Sequence, residues 1–176
     1  VSMRVSDGER VTIEGIDLMA MHTPGHTDDS YCFRMDDRVF TGDTLLIRGT
    51  GRTDFQNGDA GQQYDSLFDG VLKLPESTLV YPAHDYKGYM VSTIGEERAN
   101  NPRLQVGSRA EYIELMAGLN LPNPKMMDVA VPENIRMGLN LDRQREVATV
   151  TPESIIMDNA EGCLLYTSDA ADDVIS

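Results

Sequence analysis

The sequence predicts a mixed α/β fold of the α+β kind, and three observations carry that prediction. Four short alternating segments open the chain, ERVTIEG, IDLMAMH, SYCFRM and RVFTG, with Asp-Gly, Pro-Gly and Asp-Asp turn signals between them. A helical stripe at Leu67, Phe68, Val71 and Leu72 follows, after which TLVYPAH returns as a strand. Two further helical segments, TIGEERANN and SRAEYIELMAGL, complete the middle of the chain.

Each opening segment alternates polar and apolar residues, the pattern of a strand with one buried face. In YDSLFDGVLKL the apolar residues recur at helical spacing until Pro75, which lacks a backbone donor, ends the run. TIGEERANN is polar and reads as a surface helix. SRAEYIELMAGL starts with Ser108 and Glu111 in capping-box spacing, so the hydroxyl of one and the carboxylate of the other can satisfy free backbone donors. There is no internal repeat, and the 10 methionines read as flexible core filling rather than a metal-binding box.

Composition narrows the function. A chain of 176 residues with 40% hydrophobic content suits one folded domain. The net charge of −14 disfavours nucleic acid, and no run approaches the roughly 20 apolar residues that cross a bilayer. VSMRVSDGER lacks the basic and apolar regions of a signal peptide, so a cytoplasmic, bacterial location is expected, with no membrane or nucleic-acid partner. Cys32 and Cys163 form no CxxC; Cys32 reads as a buried strand residue.

The three histidines, His22, His26 and His84, carry the chemical signal. His22 and His26 have the spacing of two ligands on a zinc helix, but Pro24 and Gly25 between them exclude a helix and make TPGH a tight turn. His26 is therefore a loop-tip ligand candidate. VFTGD repeats the device, with Asp43 just past a strand ending in Gly42, and YPAH repeats it with His84. Imidazole and carboxylate groups behind Pro or Gly at strand ends point to a metal site with N and O ligands. The plainer reading treats the three as unconnected turn residues. His22, with a strand running into it, reads as structural.

TPGHTDDS, FTGD and PAHDY resemble the metal motifs of the metallo-β-lactamase fold, an αββα sandwich. The longer runs FTGDTLLIRGTGRTDFQNGDA, YPAHDYKGYMVSTIGEERANNPRL and LNLPNPKMMDVAVPENIRMG resemble the persulfide dioxygenases, also called sulfur dioxygenases, from about Met19 to Gly138. That resemblance implies, for the intact parent, a mononuclear Fe(II) enzyme that oxidises the outer sulfur of glutathione persulfide with O₂, giving sulfite and glutathione; this fragment by itself is expected to be inactive. His26 and Asp43 then match two iron ligands and serve as catalytic residues, while His84 matches the superfamily's second-metal position, near the iron without ligating it. The third ligand would come from an upstream HxHxDH motif; none precedes His22, so the N-terminal half of the fold is expected to be missing. Zn²⁺ and a dinuclear site are the alternatives for the metal.

The resemblance also implies substrate-binding residues. Arg52 and Asp54 in GTGRTDF suit the carboxylate and amine ends of a peptide. Tyr86 and Arg103 match positions near the family's glutathione pocket, Gly49 and Gly51 would let their loop approach the site closely, and Thr27 or Asp85 would orient the ligands. The expected partners are glutathione persulfide and O₂, with homodimer formation left open. The rival enzyme on this fold is a glyoxalase II-type hydroxyacylglutathione hydrolase, although YPAHDY stands where that family has a Cys-Gly-His-Glu-Tyr motif. A second rival is an incomplete domain with no catalysis.

Residues 1–138 are thus expected to form the C-terminal portion of a metallo-β-lactamase-fold domain. Residues 139–162 read as a linker or as the start of a rhodanese-like domain, through VTPESIIMDNAEG. From Cys163 to Asp173, CLLYTSDAADD back-translates to something resembling a transposase adapter from sequencing libraries, so residues 163–176 are expected to be an artefact tail.

Overall fold

In the computed structural model, residues 4–54 and 57–122 are described. A six-stranded sheet in the order β1-β2-β3-β4-β5-β6 organises them: β1 Arg10–Ile13, β2 Ile16–His22, β3 Tyr31–Arg34, β4 Arg38–Gly42, β5 Leu79–Pro82 and β6 Ser92–Thr93. The four opening strands are those expected from the alternating segments. They form an antiparallel meander, with Met21 opposite Cys32 and Phe33 opposite Phe40. β5 joins β4 in parallel through a helical crossover, and the two-residue β6 closes the edge antiparallel.

The crossover departs from the expected helix of residues 64–74. Helix α1 spans Ala60–Asp65 and begins earlier because the Asp59 side chain accepts from the Gln62 amide, satisfying a free donor. The helix then widens by one residue per turn over Ser66–Gly70 and tightens over Val71–Lys73. Leu67, Val71 and Leu72 still reach the core, so the apolar stripe was correct although its helix is not uniform. Helix α2, Ile94–Asn100, is capped by Thr93, and α3, Arg109–Ala117, by Ser108. The Glu111 carboxylate reaches back to the Gly107 amide at 2.7 Å, one residue before the donor a capping box would use.

The core lies on one face of the sheet. Cys32, Val39 and Val80 meet Leu67, Val71, Ile94 and Tyr112, all fully buried. Each such aliphatic side chain contributes about 1.5–3 kcal/mol by leaving water. The other face presents Phe33, Phe40 and Tyr81; the Phe40 and Tyr81 rings lie 5.7 Å apart, and Phe40 is 40% exposed. All of these elements fall in one unit, Val1–Leu119, and residues 120–122 fall in a second, Asn120–Ser176. No helix among the described residues is long and apolar enough to cross a membrane. The expected boundary at residue 138, the linker or rhodanese-like segment and the artefact tail lie outside the described residues.

Candidate metal centre

Three loops leave the sheet on the same side. The first follows β2. Gly25 has φ of +139°, a region that favours glycine, and a Cβ there would lie 2.4 Å from the Gln63 backbone. Its carbonyl accepts from the Asp59 amide at 2.8 Å, and the Pro24 carbonyl accepts from the Ser66 hydroxyl at 2.7 Å. The turn is thereby fastened to α1, with His26 as its next residue.

The second loop follows β4. Gly42 takes φ of +52°, and the Thr41 hydroxyl donates to the Leu45 carbonyl at 2.6 Å, closing the turn that carries Asp43. The third follows β5, where the Ala83 amide donates to the Gly42 carbonyl at 3.1 Å. Because β4 and β5 are parallel neighbours, Asp43 and His84 emerge side by side. The buried Thr23 and Thr44 hydroxyls, 3.0 Å apart, tie the first loop to the second.

His26 Nδ1 lies 2.7 Å from the carbonyl oxygen of Arg52. A carbonyl only accepts, so Nδ1 carries the ring proton and Nε2 holds the lone pair. Nε2 faces Asp43 Oδ2 at 3.6 Å, beyond an ordinary hydrogen bond. Two donors each about 2.1 Å from one metal ion stand roughly 3–3.6 Å apart, so this pair has the spacing of neighbouring ligands. On the other side of the carboxylate, His84 Nδ1 lies 2.6 Å from Asp43 Oδ1. The donor set therefore fits a metal ion at His26 and Asp43, with His84 beside it. Among the described residues no group of three His, Cys, Asp or Glu side chains is arranged to hold a metal by itself.

The remaining candidates sort clearly. Arg52 and Asp54 form a bidentate pair, with Nε and a terminal guanidinium nitrogen each 2.6 Å from the carboxylate. The hydrogen bonds from Arg52 hold the Asp54 carboxyl below its usual range despite some desolvation. Tyr86 stacks beside His84, with ring centroids 6.4 Å apart. Arg103 is turned inward: one guanidinium nitrogen donates to the Thr50 carbonyl and also reaches its hydroxyl at 3.1 Å, and burial pulls its pKa down. It supports the loop that carries Arg52.

Two expected orienting residues are corrected. The Thr27 hydroxyl bonds Asp29 and Ser30 within its own turn, and the Asp85 carboxylate accepts the Lys87 and Tyr89 amides. Both short side chains are held by nearby partners, and the groups bonded to His26 and Asp43 are instead the Arg52 carbonyl and His84. Gly51 does make the expected close approach: a Cβ there would lie 2.3 Å from the Asp43 carbonyl and 2.8 Å from His26 Nδ1. Gly49 does not, since a Cβ there would meet nothing nearer than Leu46 Cβ at 3.9 Å. His22 is structural as expected, its Nε2 2.9 Å from the Asp28 carbonyl and its ring against Tyr31, and Cys32 is fully buried. Sequence reasoning missed Gln63, Thr50 and Tyr112, which underlie the Arg52 loop; capping and periodicity give no signal for such contacts.

Known proteins resemble this chain in sequence and in fold. Residues 3–84 match the metallo-beta-lactamase superfamily. The mitochondrial persulfide dioxygenase ETHE1 of Homo sapiens is 45% identical over 78% of this chain and 54% of its own length. Its counterpart in Bos taurus is 46% identical over 77% of this chain and 54% of its own. The crystal structure of ETHE1 from Myxococcus xanthus superposes with a TM-score of 0.74 at 53% identity, covering 77% of this chain and 60% of that one. The chain thus spans about half the length of the curated relatives it matches.

Proposed function

We propose, from the premise that this chain has the metallo-β-lactamase fold and is a homologue of the persulfide dioxygenases over 78% of its length, that it carries part of a mononuclear Fe(II) centre oxidising glutathione persulfide with O₂ to sulfite and glutathione. The observation that carries this reading is the commitment of His26 Nδ1 to the Arg52 carbonyl, which leaves Nε2 facing Asp43. His26 and Asp43 would hold the metal. Bound Fe(II) would supply open positions for a thiolate sulfur and O₂.

The residues of the chain do the orienting. The Arg52 carbonyl fixes the tautomer and rotation of His26, and His84 fixes the Asp43 carboxylate by donating to its far oxygen. Asp54, held ionised by Arg52 and 52% exposed at its side chain, offers an acceptor for the substrate's ammonium group, while Tyr86 lies beside His84. Arg103 acts on the Arg52 loop rather than on substrate. Imidazole and carboxylate accept both iron and zinc, so the choice of iron rests on the relatives' dioxygenase chemistry.

The test is O₂ consumption with glutathione persulfide by this chain joined to the segment that completes the ligand set, loaded anaerobically with Fe(II), beside the same protein loaded with Zn²⁺. Uptake with iron alone, at one iron per chain, supports the proposal. Uptake with neither metal, together with cleavage of S-lactoylglutathione, would assign the site to thioester hydrolysis instead.

A further inference from the structure

Gln63 is fully buried on α1. Both ends of its amide are committed. Nε2 donates to the Gly51 carbonyl at 3.1 Å, and Oε1 accepts from the Tyr112 hydroxyl at 2.8 Å. A buried amide bonded at both ends costs little to keep, and breaking either bond strands a polar atom.

The position of these bonds is informative. The Thr50 carbonyl is held by Arg103, the Gly51 carbonyl by Gln63, and the next carbonyl, that of Arg52, receives the His26 ring proton at 2.7 Å. Three successive carbonyls are thus each engaged by a side chain, and the last engagement orients the imidazole. On its other side Gln63 meets the residue just before His26, since Gly25 packs against its backbone with no room for a side chain. One residue therefore touches both chain segments that hold the ring, with its amide on one and its backbone on the other.

We propose that Gln63 is a positioning residue for the metal centre: by fixing the Gly51 carbonyl it holds the Arg52 carbonyl in place to keep the ring proton of His26 on Nδ1, so that Nε2 faces Asp43. The proposal rests on His26 being a ligand, but its first consequence is measurable without metal. In the chain labelled with ¹⁵N at histidine, NMR reads the two neutral tautomers of His26 directly from the shifts of its ring nitrogens.

Wild type is expected to show the Nδ1–H form almost alone. In Gln63→Met, which keeps the length of the side chain and removes its donor, the ratio of Nδ1–H to Nε2–H should fall about fivefold, the change that loss of one ordinary hydrogen bond gives. Tyr112→Phe breaks the same buried amide pairing but leaves the bond to Gly51, and should keep the wild-type ratio. If Gln63→Met does not fold, Gln63→Met with Tyr112→Phe, which strands neither partner of that pairing, takes its place with the same expectation. An unchanged ratio in the Gln63 variants would overturn the proposal, and so would an equal fall in Tyr112→Phe, which would signify general loosening. Metal binding is measured separately, with Co²⁺ as a spectroscopic probe, in the chain joined to the segment that completes the ligand set, wild type beside His26→Ala. Equal affinity of the two, with the tautomer result intact, would count against His26 as a ligand and not against the link from Gln63.

Discussion

The two oxygens of Asp43 face different histidines: Oδ1 lies 2.6 Å from His84 Nδ1, and Oδ2 lies 3.6 Å from His26 Nε2. One carboxylate is thus a hydrogen-bond acceptor on one side and a ligand candidate on the other. Replacing one oxygen by an amide disturbs both functions. Asp43→Asn should lower metal affinity by at least about tenfold, as loss of metal ligands or their orienting partners does. Competition against a chelator measures it, and affinity at the wild-type level would remove Asp43 from the centre.

The neighbouring glycines of the Arg52 loop should respond differently. A methyl group at Gly51 meets the Asp43 carbonyl and the His26 ring below contact distance, so Gly51→Ala should destabilise by about 1–3 kcal/mol and weaken metal binding as well. A methyl group at Gly49 would have its nearest neighbour 3.9 Å away, and Gly49→Ala should change stability by less than about 0.5 kcal/mol. Urea denaturation of the two variants side by side makes the comparison, and equal effects would contradict the packing described for Gly51.

Glu97 is fully buried and accepts from the Arg48 amide and guanidinium, from Ser92 and from Asn101, each within 2.9 Å. Asn101 in turn donates to the Leu46 and Gly49 carbonyls, so the cluster shapes the start of the Arg52 loop. Glu97→Ala removes the acceptor of the Arg48 amide and the Ser92 hydroxyl and breaks the buried pair with the Arg48 guanidinium, and should cost about 3–5 kcal/mol. The midpoint of urea unfolding reads the loss directly. A shift of less than about 1 kcal/mol would mean that water replaces the carboxylate at little cost.

Burial pushes the Tyr112 phenol up to about 12, although its bond to Thr50 and the nearby Arg103 charge pull it back. The unfolded phenol titrates near 10. Between those values the unfolded chain loses the proton while the folded chain keeps it. The contribution is therefore fully present below about pH 10 and lost as pH rises toward 12. Tyr112→Phe should flatten this alkaline decline relative to wild type, as seen in thermal unfolding between those pH values. Parallel declines would place the titration elsewhere.

Much of the fold was legible because its signals are local. Pro-Gly and Asp-Asp pairs mark the turns after β2 and β3, although Asp7-Gly8 precedes β1 and the β1–β2 turn is made by Glu14-Gly15, and the alternation within SYCFRM places Cys32 inward. The Ser108 cap was legible for the same reason. The widened turn at Ser66–Gly70 was not, since its apolar residues keep nearly helical spacing, and β6 is too short to carry a period. At the site, His26, Asp43 and His84 announced themselves by residue type behind Pro or Gly. The Arg52 carbonyl did not, because every residue has one. Gln63 and Tyr112 were missed because their partnership spans 49 residues and leaves no mark on local sequence.

Asp43 and His84 are separated by 41 residues of chain, yet each sits just past the end of one of two adjacent parallel strands. Their spacing is therefore set by the width of one strand pair, whatever the length of the helical crossover. Extra residues inserted at exposed Ser77 would lengthen the route without stretching the ruler. A slip of β5 by a single residue against β4 would move His84 by about 3.3 Å along the sheet and turn its neighbours to the opposite face. The site thus tolerates drift in its connections while demanding fidelity in one pair of strands.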